Sequence, residues 1–113
     1  MKWVAHTAYT CSYPNPINFR QGECVQLGKR DNEYEGWIWV TTADGNQGWA
    51  PIQYLQMDET DGQALALHDY TARELNASAG DQLTLHYELN GWAWVEKRDG
   101  STGWVPCSTI RKR

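Results

Sequence analysis

Short runs of alternating apolar and polar residues recur along the chain, and turn-forming residues separate them. A period of two predicts β-strands that turn one face toward a core. No segment carries the three-to-four-residue period of an amphipathic helix. The pattern therefore predicts an all-β protein, with its clearest alternating runs at residues 17–19, 25–27, 37–40, 83–85 and 92–95.

The run of alternating residues that begins with Gly-Trp occurs twice. Residues 36–40 read Gly-Trp-Ile-Trp-Val and residues 48–51 read Gly-Trp-Ala-Pro, with an Asp-Gly between them. The second copy has the same order at an offset of 55, because 92 − 37 and 104 − 49 both equal 55. Asp-Gly suits the left-handed conformation of a hairpin turn. A fixed offset predicts one unit built twice, over residues 1–56 and 62–113, joined by an acidic linker at 57–61.

The offset between the two copies changes in two loops. It is 61 from Tyr9 to Tyr70, 58 from Gly22 to Gly80 and 55 between the tryptophans. The second repeat has therefore lost three residues from the loop after its first strand and three more before Trp92. Length changes confined to loops indicate a shared fold with altered binding edges.

Composition favours a recognition surface and disfavours several other classes. The chain has seven Trp and six Tyr but one Phe, and Trp and Tyr combine contact area with a polar group. The net charge of −4 leaves no basic field for nucleic acid. Three cysteines show no metal-ligand pairs, and no apolar run predicts a membrane span or signal peptide. We expect a cytoplasmic protein with no membrane partner.

The ordered motifs resemble the Src homology 3 (SH3) domain. The second repeat carries Ala-Leu-His-Asp-Tyr at 66–70, Gly-Asp at 80–81, Gly-Trp at 91–92 and Gly-Trp-Val-Pro at 103–106. The first repeat matches the same pattern by spacing. Its Tyr-Pro-Asn-Pro-Ile loop and Glu-Gly-Trp-Ile-Trp run are similar to divergent variant members of bacterial proteins.

The resemblance implies two tandem small five-stranded SH3-like β-barrels, each with a shallow aromatic groove for an extended proline-rich peptide. Matched positions depart from the family at Thr7 and Pro16 in the first repeat, and at His68 and Thr109 in the second. The first repeat is expected to be the better binder. Its implied site residues are Tyr9, Trp37, Pro51 and Tyr54 with the acids Asp31, Glu33 and Glu35, and those of the second repeat are His68, Tyr70, Glu74, Trp92 and Pro106.

Two tryptophans lie outside this assignment. Trp39 and Trp94 are expected on the outer face of their strands, diagonally near Trp49 and Trp104. They would serve either contact with a partner or the other domain, or a local aromatic ladder.

No catalytic motif, metal-ligand spacing or phosphate-binding loop is present in the sequence. We expect a non-enzymatic protein-interaction module without a metal or another cofactor, whose partner is a proline-containing peptide. Two alternatives remain at this stage. The module could recognise a bacterial cell-wall peptide or another ligand, or it could have a structural or dimerisation role in which the tryptophan faces pack together. The oligomeric state does not follow from the sequence.

Overall fold

The protein is built from short β-strands. The computed structural model describes residues 2–11, 15–32, 35–58 and 62–112. In this part of the chain the only helices are two 3₁₀ turns, at Ile52–Tyr54 and Cys107–Thr109, and neither could span a membrane. The all-β expectation is confirmed. The strands are β1 Lys2–Ala5, β2 Asn18–Phe19, β3 Cys24–Arg30, β4 Trp37–Thr41, β5 Gln47–Pro51, β6 Leu55–Asp58, β7 Gln63–Ala66, β8 Tyr70–Thr71, β9 Gln82–Leu89, β10 Trp92–Lys97, β11 Thr102–Pro106 and β12 Ile110–Lys112.

The chain forms two compact units whose boundaries differ from those of the sequence repeats. Unit 1 consists of Met1–Pro14 together with Arg73–Arg113, and unit 2 consists of Asn15–Ala72. The repeats predicted a division into 1–56 and 62–113. The difference arises because the first strand of each repeat belongs to the sheet of the other.

Strand pairing shows this exchange directly. The five-stranded sheet of unit 1 has the order β11-β10-β9-β1-β12, and that of unit 2 has the order β5-β4-β3-β7-β6. In unit 1, Ala5 of β1 lies opposite Ile110. In unit 2, Ala66 of β7 lies opposite Leu55. Ala5 and Ala66 are equivalent residues of the two repeats, since 66 − 5 is 61, so the exchange is reciprocal.

The loop that follows the first strand is exchanged as well. Tyr9 of the first repeat forms a β-bridge with Ala77 of the second. Strand β2 pairs with β8, so that Phe19 lies opposite Tyr70. The two arms of this loop therefore come from different repeats in each unit, and the chain passes from one unit to the other at 14–15 and at 72–73.

The predicted linker at 57–61 overlaps strand β6, which pairs with β7, in contrast to the expectation of a spacer between domains. Met57 lies opposite Ala64 and Asp58 opposite Gln63, which leaves four residues to join β6 to β7; of these, 59–61 fall outside the described residues. A connection this short closes at low entropic cost. Pairing β6 with β1 instead would join strands about 50 residues apart in the chain. The hairpin provides a physical reason for the exchange.

The two tryptophan hairpins have the turns that the sequence predicts. Gly45 has a φ of 86° and Gly100 a φ of 90°, which is the left-handed region where glycine is favoured. The amide N–H of Thr42 donates to the carbonyl oxygen of Asn46 at 2.9 Å. Asp44 accepts hydrogen bonds from the side chain of Thr42 and from the amide N–H of Asn46.

Each unit has an apolar core that contains residues from both repeats. Ala5 and Ala66 are each 1% exposed, so the exchanged strands β1 and β7 are integral parts of their units. The core of unit 1 is formed by Ala5, Leu75, Ala77, Leu83, Ala93, Val95, Val105 and Ile110. Buried apolar residues of unit 2 include Ile17, Phe19, Val25, Ile38, Val40, Ala50, Leu55, Ala64 and Ala66.

Candidate functional site

Aromatic rings from both repeats converge in unit 2. Tyr54, at the end of the first 3₁₀ turn, lies 5.0 Å from the ring of His68 and 6.0 Å from that of Tyr70, the latter at 88°. Tyr70 also packs on Phe19 at 5.3 Å, and its hydroxyl donates to the carbonyl oxygen of Trp49 at 3.4 Å. Edge-to-face arrangements of this kind add stability beyond the area that they bury. Tyr54 and Tyr70 are thereby fixed in orientation, while His68 stays exposed.

Trp37 and Pro51 extend this cluster along strands β4 and β5. The two residues lie directly opposite each other in the register. The amide N–H of Ile52 donates to the carbonyl oxygen of Gly36 at 2.8 Å, so the start of the 3₁₀ turn is tied to the residue before Trp37. Trp37 itself is 6% exposed. Its side chain is therefore mostly packed, and the rings with more accessible surface are Tyr54 and His68.

The corresponding place in unit 1 has fewer rings. Tyr9 meets Trp92 edge to face at 5.8 Å, and its hydroxyl donates to Oε1 of Glu74 at 2.7 Å. Pro106 lies opposite Trp92 in the register. Glu74 is held by a parallel β-bridge to Trp104. This group offers one tyrosine, one tryptophan and a carboxylate that is already hydrogen-bonded.

The exchange regroups the site residues that the sequence analysis assigned. Tyr9 was expected beside Trp37, Pro51 and Tyr54, but the structure places it with Trp92. His68 and Tyr70 were expected beside Trp92 and Pro106, but they lie with Tyr54. The physical reason is the β6–β7 hairpin, which carries the segment with His68 and Tyr70 into unit 2.

Threonines occupy the two remaining groove positions of unit 1. Thr7 and Thr109 are the positions where the family pattern has a ring, and both fall in this unit. Thr109 donates its hydroxyl to the carbonyl oxygen of Pro106 at 2.8 Å, and its backbone oxygen accepts from the amide of His6 at 2.9 Å. The exchange thus brings the rings into unit 2 and the threonines into unit 1.

Acidic residues lie near Trp37 in unit 2. The amide N–H of Asp31 donates to the carbonyl oxygen of Trp37 at 3.0 Å, and Glu35 is exposed two residues before Trp37. Glu33 lies outside the described residues. Pro16 stands at the position equivalent to Glu74, since 74 − 16 is 58. The acidic residues expected to replace the carboxylate lost at Pro16 therefore lie at the Trp37 end of unit 2.

The outer tryptophans form local ladders, one of the two roles that the sequence left open. Trp39 and Trp49 lie directly opposite in the register, with ring centroids 5.1 Å apart at 76°; the diagonal relation expected from the sequence is wrong. Trp94 and Trp104 repeat this arrangement at 5.2 Å. Opposed and diagonal neighbours on the same face differ by two residues in the pairing.

Unit 1 adds two residues to its ladder that the sequence analysis did not single out. Tyr87 stacks on Trp94 at 6.3 Å and meets Trp104 edge to face at 5.5 Å. The guanidinium of Arg73 lies over the Trp94 ring at 5.4 Å, a distance suited to a cation–π interaction. The signal available in the sequence was Tyr87 in an alternating strand, but its partner depended on a register irregularity between Trp94 and Val95.

The ionisable groups with shifted pKa values lie outside these aromatic clusters. The hydroxyl of Ser101 and its backbone N–H lower the pKa of Asp99, and the equivalent contacts from Thr42 and Asn46 lower that of Asp44. Burial raises the pKa of the Cys107 thiol, with a smaller contribution from Glu88. Among the described residues, no group of three or more His, Cys, Asp or Glu side chains could hold a metal ion.

Comparison with known proteins identifies the family. The model of the variant SH3 domain matches residues 2–58. The chain belongs to the variant SH3 family. It is also 26% identical over 126 residues to the mouse (Mus musculus) SH3 and PX domain-containing protein 2B; the match covers 98% of this chain and 13% of that protein. No solved structure matches the chain.

Membership of the SH3 family sets the class of function. SH3 domains are non-enzymatic interaction modules that bind protein partners. The SH3 match over 2–58 follows the first sequence repeat, from β1 to β6. Structural unit 2 instead runs from Asn15 to Ala72. The SH3 sequence repeat and the SH3-like structural unit are therefore different segments of this chain.

Proposed function

We propose that this chain binds an extended proline-containing peptide through the aromatic cluster of unit 2. The observation that carries the proposal is the position of the Tyr54 ring, which lies 5.0 Å from the ring of His68 and 6.0 Å from that of Tyr70. A polyproline II segment has a preformed backbone with three residues per turn, and it loses little entropy when it docks between aromatic rings. Tyr54 and His68 supply such rings on accessible positions.

The acidic residues beside the cluster indicate that the ligand carries a basic residue. Asp31 and the exposed Glu35 lie at the Trp37 end of the cluster, so a ligand with an Arg or Lys at the same end gains Coulomb attraction. Exposed pairs of this kind contribute about 0.2–1 kcal/mol each and weaken as salt rises. The proposed ligand is therefore a proline-containing peptide with one flanking basic residue.

The test is a titration of the full chain with a fluorescein-labelled peptide that contains two prolines and one Arg, followed by anisotropy and by amide chemical shifts. Tyr54→Ala is expected to weaken binding by tenfold or more, because truncating an aromatic contact at a binding hot spot costs about 2 kcal/mol. Thr109→Ala is the matched control, since Thr109 is the equivalent position in the other unit. Its affinity should stay within twofold of the original chain.

Two results would contradict the proposal. One is an absence of saturable binding by any member of a panel of such peptides. The other is an equal loss of affinity in Tyr54→Ala and Thr109→Ala, with both variants folded by their amide spectra. A salt titration from low to high ionic strength tests the acidic residues separately. An affinity that does not change with salt would remove Glu35 and Asp31 from the description of the ligand.

A further inference from the structure

We propose that the peptide groove of unit 2 is a composite site made by the strand exchange, and that the bound peptide holds the chain in the exchanged arrangement. The inference rests on the proposed function, since it names the regulation of the same groove. Tyr54 comes from the first repeat, and His68 and Tyr70 come from the second. Neither repeat holds this set of rings by itself.

The distribution of rings differs between the two ways of pairing the repeats. Without exchange, Tyr54 would share a groove with Thr7 and Tyr9, and Thr109 would share one with His68 and Tyr70. Each groove would then hold two of these four rings. With exchange, Tyr54, His68 and Tyr70 lie together, and Tyr9 alone of the four remains in unit 1.

Backbone hydrogen bonds fix the composite wall across the repeat boundary. The amide N–H of Leu67 donates to the carbonyl oxygen of Tyr54 at 2.7 Å, so the residue before His68 is bonded to the residue that carries the facing ring. The β2–β8 pairing places Tyr70 opposite Phe19. These backbone contacts set the spacing of the rings. Chains in the unexchanged arrangement, which lack these contacts, do not have this spacing.

A ligand that prefers one of two arrangements shifts the population toward it by its difference in affinity. A peptide that binds only the exchanged form, at a hundred times its Kd, raises the ratio of exchanged to unexchanged chains by about a hundredfold. The loss of rings in the unexchanged grooves gives the peptide this preference, because each missing ring removes a ridge of the binding surface.

Cross-linking to the native Cys24 distinguishes the two arrangements. Cys24 lies opposite Leu65, and Val4 lies opposite Gln82; Val4 and Leu65 are equivalent residues at an offset of 61. Opposed residues of antiparallel strands have Cα atoms about 4.5–5.5 Å apart, which suits a disulfide. Leu65→Cys should therefore cross-link to Cys24 under mild oxidation, whereas Val4→Cys would do so only in the unexchanged arrangement.

The expected result is a monomeric Leu65→Cys protein whose 24–65 disulfide is identified by peptide mass mapping, and whose affinity for the labelled peptide is within twofold of that of its reduced form. Val4→Cys should give little 4–24 disulfide, and saturating peptide should lower its yield further. A Val4→Cys protein that is fully cross-linked to Cys24 and still binds the peptide would overturn the proposal. So would a 24–65 cross-link that abolishes binding.

A double-mutant cycle tests the composite groove independently. The rings of Tyr54 and His68 are neighbours. The affinity of the Tyr54→Ala/His68→Ala double variant should therefore differ by threefold or more from the value expected if the two single effects were independent. Tyr54→Ala combined with Tyr9→Phe is the control pair, and these effects should multiply. Additive behaviour of the first pair, or coupling of Tyr54 to Tyr9, would contradict the composite site while peptide binding persists. Failure of the original chain to bind any peptide would instead contradict the proposed function.

Discussion

Replacement of Trp37 by alanine tests how much of unit 2 depends on one ring. Trp37 is 6% exposed, and a buried Trp removes about 200 Å² from water, which is worth about 5 kcal/mol at 25 cal/mol per Å². Measured losses for Trp→Ala in cores are about 3–5 kcal/mol. A domain of the size of unit 2 has a total stability of about 3–9 kcal/mol. Trp37→Ala should therefore remove most of that stability.

The equivalent change in unit 1 should be milder. Trp92 is only half-buried, so Trp92→Ala should cost about half as much, or roughly 1.5–2.5 kcal/mol. The assay is urea unfolding of the full chain, with amide resonances of each unit followed separately. Trp37→Phe is the matched control and should recover part of the loss, because it retains a ring in the same place.

A loss below about 1 kcal/mol in Trp37→Ala, with Trp92→Ala equal or larger, would refute this reasoning. It would mean that the burial of the Trp37 ring contributes little to the stability of unit 2. The prediction also changes the interpretation of binding data. Loss of peptide affinity in Trp37→Ala would reflect unfolding of unit 2. Tyr54 is the better residue for testing the groove.

Three further predictions concern packing, protonation and thiol reactivity. Gly103→Ala should lower the free energy of unfolding by about 1–3 kcal/mol, because the added Cβ would lie 3.0 Å from backbone atoms of the neighbouring loop arm. The equivalent Gly48→Ala should cost less, since its Cβ would meet only a side chain. Urea unfolding midpoints of the two variants test this order. Asp99→Asn should destabilise the chain at pH 7, since hydrogen bonds from Ser101 lower the pKa of Asp99. The loss of stability should disappear as the pH falls below about 4 through the folded-state pKa. A loss that persists in acid would contradict the role of the Asp99 carboxylate. The thiol of Cys107, whose pKa is raised by burial, should be alkylated more slowly at pH 8 than the exposed Cys24, as measured by mass spectrometry; equal rates would count against the packing of Cys107.

The sequence predicts the strands and hairpins of this protein because the signals for them are local. The alternation at 37–40 and the Asp-Gly at 44–45 are enough to place β4, β5 and the turn between them. The family resemblance is likewise carried by residues close together in the chain. These features do not depend on which distant strand completes the sheet.

The exchange could not be read from the same signals. Ala5 and Ala66 have equivalent neighbours in sequence and the same 1% exposure, so the alternating pattern of β1 fits either sheet equally well. The choice depends on the relative cost of closing different loops, and the four-residue connection from Asp58 to Gln63 decides it in the structure. The membership of each candidate groove follows from that choice, which is why the grouping of the candidate site residues expected from the sequence differs from the grouping in the structure.

The order of the two units along the chain has a consequence for synthesis on the ribosome. Unit 2 is one continuous segment nested inside unit 1, whose two segments come from the ends of the chain. All strands of unit 2 are made by the time Ala72 emerges, whereas β12 follows 40 residues later, at Lys112. Strand β1 pairs first with Gln82–Thr84 of β9, a segment that ends 79 residues after Ala5 (84 − 5), so at about 5–20 residues per second β1 waits roughly 4–16 s for this partner. During that interval β1 is an unpaired edge that a neighbouring nascent chain could capture, so crowding on polysomes favours intermolecular pairing at this strand.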